Sequence, residues 1–190
     1  MSLFDLQGRV AIVTGGGSGI GRSLAVALAE AGAQVTVAGR TSASLEATCH
    51  QIASAGGRAW AESLDVTRPD EVRVAFDRVV QRAGRLDILV NSAGGMFRRA
   101  AFDITEDDWD RLVAVNLKGV FFCCQAAACH MRSAHYGRIV SVSSLTAEIG
   151  LPRLAVYGAT KGGVNQLTRA LAVEWAAYGI TVNAVGSGRR

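Results

Sequence analysis

Apolar residues gather along this chain in short, nearly unbroken runs, separated by longer stretches where apolar positions recur every three or four residues. The runs fall at 9–14, 34–38, 58–64, 86–91, 137–142 and 180–185. Segments such as Val10-Ala11-Ile12-Val13 and Ile88-Leu89-Val90 do not alternate with polar residues, which predicts strands covered on both faces. The intervals predict helices at 20–31, 42–55, 69–83, 106–132 and 155–177, the third with Pro69 in its first turn. Strand and helix therefore alternate, which predicts an α/β fold: a doubly wound parallel sheet with right-handed crossovers and strand order 3-2-1-4-5-6. In such a sheet the ligand crevice lies at the carboxyl ends of the strands. No internal repeat, low-complexity tract or linker interrupts the pattern, so residues 1–190 read as one domain.

Composition narrows the class. A chain of 190 residues with 49% hydrophobic content and a mean hydropathy of +0.23 can bury one substantial core. The net charge is +4, but the arginines are scattered rather than blocked, which argues against a nucleic-acid surface. No apolar run approaches the roughly 18 residues that cross a bilayer, and the first residues lack a basic stretch followed by an apolar one. Membrane insertion and export are not expected. The cysteines (Cys49, Cys123, Cys124, Cys129) have no Cys-x-x-Cys spacing. They read as free thiols of a protein from the reducing cytoplasm, with no metal site.

Thr14-Gly15-Gly16-Gly17-Ser18-Gly19-Ile20-Gly21 joins the first strand to the first helix. Glycines there allow a tight turn and close approach of a ligand, while the helix start offers N–H groups and a positive dipole end to a pyrophosphate. Gly15, Ser18, Gly19, Ile20 and Gly21 are the candidate contacts. At the end of the second strand, where an acidic residue would take a ribose 2′-hydroxyl, stand Gly39 and Arg40. A guanidinium suits a 2′-phosphate, with Thr41 or Ser42 as further donors, and so favours NADP over NAD; a solvated loop arginine is the other reading. Asp65, with Val66 beside it after the third strand, could accept from the adenine amino group or simply stabilise a turn. Asn91, Ala93 and Gly94 end the fourth strand near the crevice, Asn91 either touching ligand or holding backbone.

Tyr157 and Lys161 stand one helical turn apart, on one face of the last predicted helix. Lys161 is one of only two lysines, the other being Lys118. A free phenol titrates near 10, and a cation beside it favours the phenolate, which turns such a tyrosine into a usable general acid or base. Ser144, at the end of the fifth strand, could point at the same carbonyl oxygen or serve the turn. Asn116 lies in the apolar segment Val113-Ala114-Val115-Asn116-Leu117, where its amide needs partners; it either satisfies the core or anchors a water leading towards Lys161.

Taken together, Thr14-Gly-x-x-x-Gly-x-Gly21, Asp65, Asn91-x-Ala93-Gly94, Asn116, Ser144 and Tyr157-x-x-x-Lys161 resemble the short-chain dehydrogenase/reductase family of Rossmann-type proteins, from Leu6 to about Val185. The resemblance implies an oxidoreductase that moves hydride between nicotinamide and the carbon of a secondary alcohol or ketone. Tyr157 would then move the proton, Lys161 would hold the nicotinamide ribose and assist Tyr157, Ser144 would steady the oxyanion, and Asn116 would support the relay water. Leu3-Phe4-Asp5-Leu6, Ala38-Gly39-Arg40 and Phe97-Arg98-Arg99 are similar to gluconate 5-dehydrogenase-like and 3-oxoacyl-carrier-protein reductase-like members, which implies a sugar acid or 3-oxoacyl substrate that Arg98 or Arg99 could meet. The family likeness also implies a homodimer or homotetramer built on the two long helices.

One stretch departs from the family pattern. Ser187 stands where the family carries proline, and Gly188-Arg189-Arg190 follow, so a C-terminally truncated chain without substrate lid or seventh strand is expected. A non-catalytic dinucleotide-binding scaffold is the alternative to an enzyme.

Overall fold

The computed structural model describes residues 5–187; Met1–Phe4 and residues 188–190, which carry part of the subgroup likeness and the end of the departing stretch, lie outside it. Six strands form the sheet: β1 (Val10–Thr14), β2 (Gln34–Gly39), β3 (Arg58–Ser63), β4 (Ile88–Asn91), β5 (Gly137–Ser144) and β6 (Ile180–Ser187). All pairs are parallel and the order is β3-β2-β1-β4-β5-β6, the order expected from the sequence pattern. Every residue of β1 and β4 is buried, which explains the unbroken apolar runs there.

The helices are α1 (Gly19–Glu30), α2 (Ser42–Ser54), α3 (Pro69–Ala83), α4 (Glu106–Val113), α5 (Gly119–Met131) and α6 (Ala155–Trp175). On one face Ile12, Leu89 and Ile139 pack with Phe76 of α3 and with Cys123, Ala127 and Met131 of α5. On the other, Val13, Val35 and Val37 meet Ala25 of α1 and Leu45 and Ile52 of α2.

Two expectations need correction. The helix expected over 106–132 is not a plain α-helix: Ala114–Lys118 form a π segment between α4 and α5, centred on the fully buried Asn116. Such bulges hold an extra residue in the turn and re-aim a side chain. The run Glu106–Ala134 is also 29 residues long and apolar enough, by length and composition, to cross a membrane. Its acidic start and Lys118 obscure that in the sequence, and its apolar side chains, Val120, Cys124 and Ala128 among them, pack into the core.

At the amino ends of the strands, Asp87 is 1% exposed and collects the Val10 N–H at 2.9 Å, Arg9 at 3.1 Å and Arg85 at 2.7 Å. Burial alone would push its carboxyl up; the hydrogen bonds from Arg85, Val10 and Arg9 outweigh that and hold it below the ordinary carboxylate value. A carboxyl that titrates lower in the folded chain than in the unfolded one adds stability that is complete above its unfolded value near 4 and disappears as pH falls through the folded value. Asp87→Asn is expected to remove about 2 kcal/mol at pH 7. The melting temperature of the variant should also fall less between pH 5 and pH 3 than that of the parent. Equal acid slopes in the two proteins would show that Asp87 is not the titrating group.

Candidate active site

The carboxyl ends of β1 to β5 open into one large cleft of about 820 Å³. Gly15, Ser18, Gly19, Ile20 and Gly21 line its floor, Arg40, Asp65 and Val66 one end, Ala93 and Gly94 the middle, and Tyr157 and Lys161 the other end. The structure therefore brings together most of the residues singled out in the sequence.

The glycine turn is shaped for a ligand. A Cβ on Gly15, which has φ +68°, would sit 2.7 Å from the Ala93 nitrogen, and one on Gly21 would sit 2.2 Å from the Gly15 carbonyl oxygen. Only glycine permits this closeness. A Cβ on Gly19, at φ +50°, would have nothing within 4 Å, so this residue opens onto the cleft. Ser18 caps α1 with an extended backbone but makes no side-chain capping bond, and the first turn holds no acidic residue.

The same is true of α2, which begins directly after Arg40 with Thr41 as an uncapped N-terminal residue and no acid in its first turn. By contrast α4 is closed by a Thr105/Asp108 capping box and α3 starts with Pro69, Asp70 and Glu71. The starts of α1 and α2, which line the cleft, are thus left positive, while those of α3 and α4 carry their own acidic groups. Burial would raise Asp65, but the hydrogen bonds from the Thr67 N–H at 3.0 Å and hydroxyl at 2.8 Å, then the Arg40 and Arg68 charges, lower it. Both bonds use Oδ1. Arg40 accordingly lies close enough to Asp65 to act on it electrostatically, and the two form one end of the cleft.

At the other end Tyr157 and Lys161 share the face predicted from their spacing. The Lys161 ammonium is 5.7 Å from the centre of the Tyr157 ring and donates to the Val142 carbonyl at 2.6 Å. Lys161 is 7% exposed, and burial lowers its pKa below the ordinary 10.5. An ammonium has three donors, so two remain for the cleft.

Several residues named from the sequence do not line the cleft, Asn116, Asn91 and Ser144 among them. Asn116 holds it from behind: its Oδ1 accepts from the Gly95 N–H at 2.8 Å, and its Nδ2 donates to the Gly95 carbonyl at 2.9 Å and to Thr160 at 3.3 Å. It ties the loop after β4 to α6. Asn91 is buried and donates to the Cys124 sulfur and the Ser141 hydroxyl, both at 3.2 Å, while its Oδ1 has no partner among the described residues; its side chain bonds neighbouring side chains rather than backbone. The Ser144 hydroxyl engages Thr146, accepting from its N–H at 3.2 Å, and borders a second, smaller cavity with Glu148 and Asn165.

Sequence reasoning missed Met96, Arg111, Leu112 and Val115, which line the cleft. Leu112, Val115 and Asn116 keep the i, i+3, i+4 spacing of one helical face, and that was the available signal. Arg99 is not free for a ligand, because it pairs with Asp108. Arg98 is exposed and outside the cleft lining.

Comparison with known proteins agrees with this geometry. The short chain dehydrogenase family model matches residues 9–189. The chain is 38% identical over 189 residues to 2-dehydro-3-deoxy-D-gluconate 5-dehydrogenase of Escherichia coli, covering 99% of this chain and 74% of that protein. It is 42% identical over 180 residues to a 3-oxoacyl-[acyl-carrier-protein] reductase of Staphylococcus aureus, covering 94% and 73%. Among solved structures, a gluconate 5-dehydrogenase from Burkholderia cenocepacia in complex with NADP and tartrate superposes with a TM-score of 0.92 at 40% identity, covering 96% and 72%. The protein belongs to the short-chain dehydrogenase family. Its activity class is that of NAD(P)-linked oxidoreductases acting on alcohols and ketones.

Proposed function

We propose that the chain is a single dinucleotide-binding domain that uses NADP to interconvert a secondary alcohol and a ketone, with a sugar acid as the favoured substrate class and a 3-oxoacyl compound as the second. One observation carries the reading: a single cleft holds two uncapped helix starts and Arg40 at one end and the Tyr157–Lys161 pair at the other. NADP, when bound, supplies or accepts the hydride. Gly15, Ser18, Gly19, Ile20 and Gly21 would receive its pyrophosphate, Arg40 its 2′-phosphate and Asp65 with Val66 its adenine. Tyr157 would give its hydroxyl proton to the carbonyl oxygen in reduction and take it back in oxidation. Lys161 would hold the nicotinamide ribose, with its ammonium beside the Tyr157 ring. Ser144 would steady the oxyanion, and Asn116, which fixes the loop beside the site, would support a relay water. The sugar-acid reading is supported by the names of the E. coli and B. cenocepacia relatives.

A non-catalytic scaffold is the second reading, favoured by the Ser144 hydroxyl being engaged by Thr146 outside the large cleft. NADPH oxidation with a panel of keto acids and 3-oxoacyl thioesters separates the two: turnover that Tyr157→Phe abolishes supports the enzyme, and cofactor binding without turnover supports the scaffold. Arg40→Ala is expected to weaken NADPH by roughly 30-fold and NADH by less than about threefold, the loss of a charge-assisted phosphate contact. Equal losses in a fluorescence titration would overturn the NADP assignment. The four cysteines are unpaired, which supports a reducing cytoplasm. A homodimer or homotetramer is supported by Trp109 on α4 and Val173 on α6, 47% and 82% exposed. A monomer by light scattering at micromolar concentration would refute it.

A further inference from the structure

Behind the glycine turn lies a polar contact that the proposed chemistry does not use. Thr48 of α2 is fully buried, and its hydroxyl lies 3.1 Å from the Gly16 carbonyl and 3.1 Å from the Ser44 carbonyl. Arg22 of α1 donates through Nε to the same hydroxyl at 3.1 Å and through Nη2 to the Gly17 carbonyl. Arg22 has no ion pair among the described residues. Its charge is directed at carbonyl oxygens instead.

The geometry of the peptide gives this a consequence. In a trans peptide the C=O of one residue and the N–H of the next point in opposite directions. Drawing the Gly16 and Gly17 carbonyls back towards Thr48 and Arg22 therefore turns the N–H groups of Gly17 and Ser18 the other way. Gly17 and Ser18 both line the cleft, and neither N–H has a hydrogen-bond partner among the described residues. The fit is tight, since a Cβ on Gly17 would lie 2.7 Å from the Ser44 hydroxyl.

We propose that Arg22 and Thr48 are positioning residues that fix these two peptide planes so that their N–H groups face the cofactor pyrophosphate. The proposal rests on the dinucleotide reading of the cleft but not on the choice between NADP and NAD, because both cofactors carry the pyrophosphate. Thr48→Val keeps the shape and removes the hydroxyl; Arg22→Met keeps the stem and removes the donors. Each is expected to weaken NADPH and NADH alike by about tenfold, the worth of one or two oriented hydrogen bonds. Adenosine 2′-monophosphate, which lacks a pyrophosphate, should bind within about twofold of the parent, and Thr48→Ser should restore dinucleotide affinity. Fluorescence titration reads the dinucleotides and calorimetry the monophosphate. Unchanged dinucleotide affinity, an equal loss for the monophosphate, or failure of Thr48→Ser to rescue would each overturn the brace. A selective loss of NADPH alone would overturn it too, since that pattern belongs to Arg40. A parent chain that binds neither dinucleotide overturns both the brace and the function on which it rests.

Discussion

Tyr157→Phe is expected to lower turnover by about a thousandfold while leaving NADPH affinity within a factor of about three. The size follows from what a positioned acid or base contributes, roughly 10²- to 10⁴-fold, and the split follows from where the residue stands. Tyr157 lines the end of the cleft opposite Arg40, so removing its hydroxyl should leave the proposed phosphate contacts intact. Lys161→Met should act differently and impair both turnover and cofactor affinity, because in the proposed reading its ammonium holds the nicotinamide ribose as well as lying beside the Tyr157 ring. The sign of the pH effect is fixed by burial. Desolvation disfavours the charged amine and moves its deprotonation below 10.5, so activity that needs the ammonium should fall as pH rises towards that value. Steady-state kinetics and NADPH fluorescence on the same preparations read this. If Tyr157→Phe lost affinity and turnover in equal proportion, the tyrosine would be a binding residue rather than the proton carrier.

What could be read from the residues and what could not divide along a physical line. Strand order, helix positions and the glycine turn were legible because each is written in local pattern: unbroken apolar runs, 3.6-residue periodicity, and glycines where strand passes to helix. The Tyr157–Lys161 pair was legible for the same reason, since a spacing of four on one helix fixes which side chains meet. The π segment was not legible. It exists because Asn116 reaches across to Gly95 and Thr160, partners 21 and 44 positions away, and nothing in Val113–Leu117 alone announces it. The brace between Arg22 and Thr48 escaped likewise, as it depends on how α1 crosses α2. Ser144 marks the middle ground: its place at the end of β5 was predicted, but the direction of its hydroxyl is set by the short helical turn that follows, where Thr146 engages it.

Gly21→Ala is expected to abolish tight dinucleotide binding, by about a hundredfold or more, the equivalent of roughly 2.7 kcal/mol. The added Cβ would lie 2.2 Å from the Gly15 carbonyl oxygen and 2.7 Å from its carbon, both backbone atoms that no side-chain rotation can move. Relief must come from shifting either the turn or α1. The turn cannot retreat in the other direction, because Gly15 already lies against Ala93, and the Ala93 N–H is itself held by the Thr14 hydroxyl at 3.3 Å. The strain therefore reaches the loop after β4 and should also lower the melting temperature of the ligand-free protein. Gly19→Ala provides the contrast. Its Cβ meets nothing within 4 Å, so the only penalty in the free protein is the left-handed backbone at φ +50°, on the order of 1 kcal/mol. On the proposed reading the same methyl group projects into the space a pyrophosphate needs, so affinity should fall in that variant while the melting temperature drops by only about 2–4 °C. Calorimetric melting and NADPH titration of both variants test the pair together. A Gly21→Ala protein that melted and bound like its parent would mean that the turn is not the rigid cradle its geometry describes.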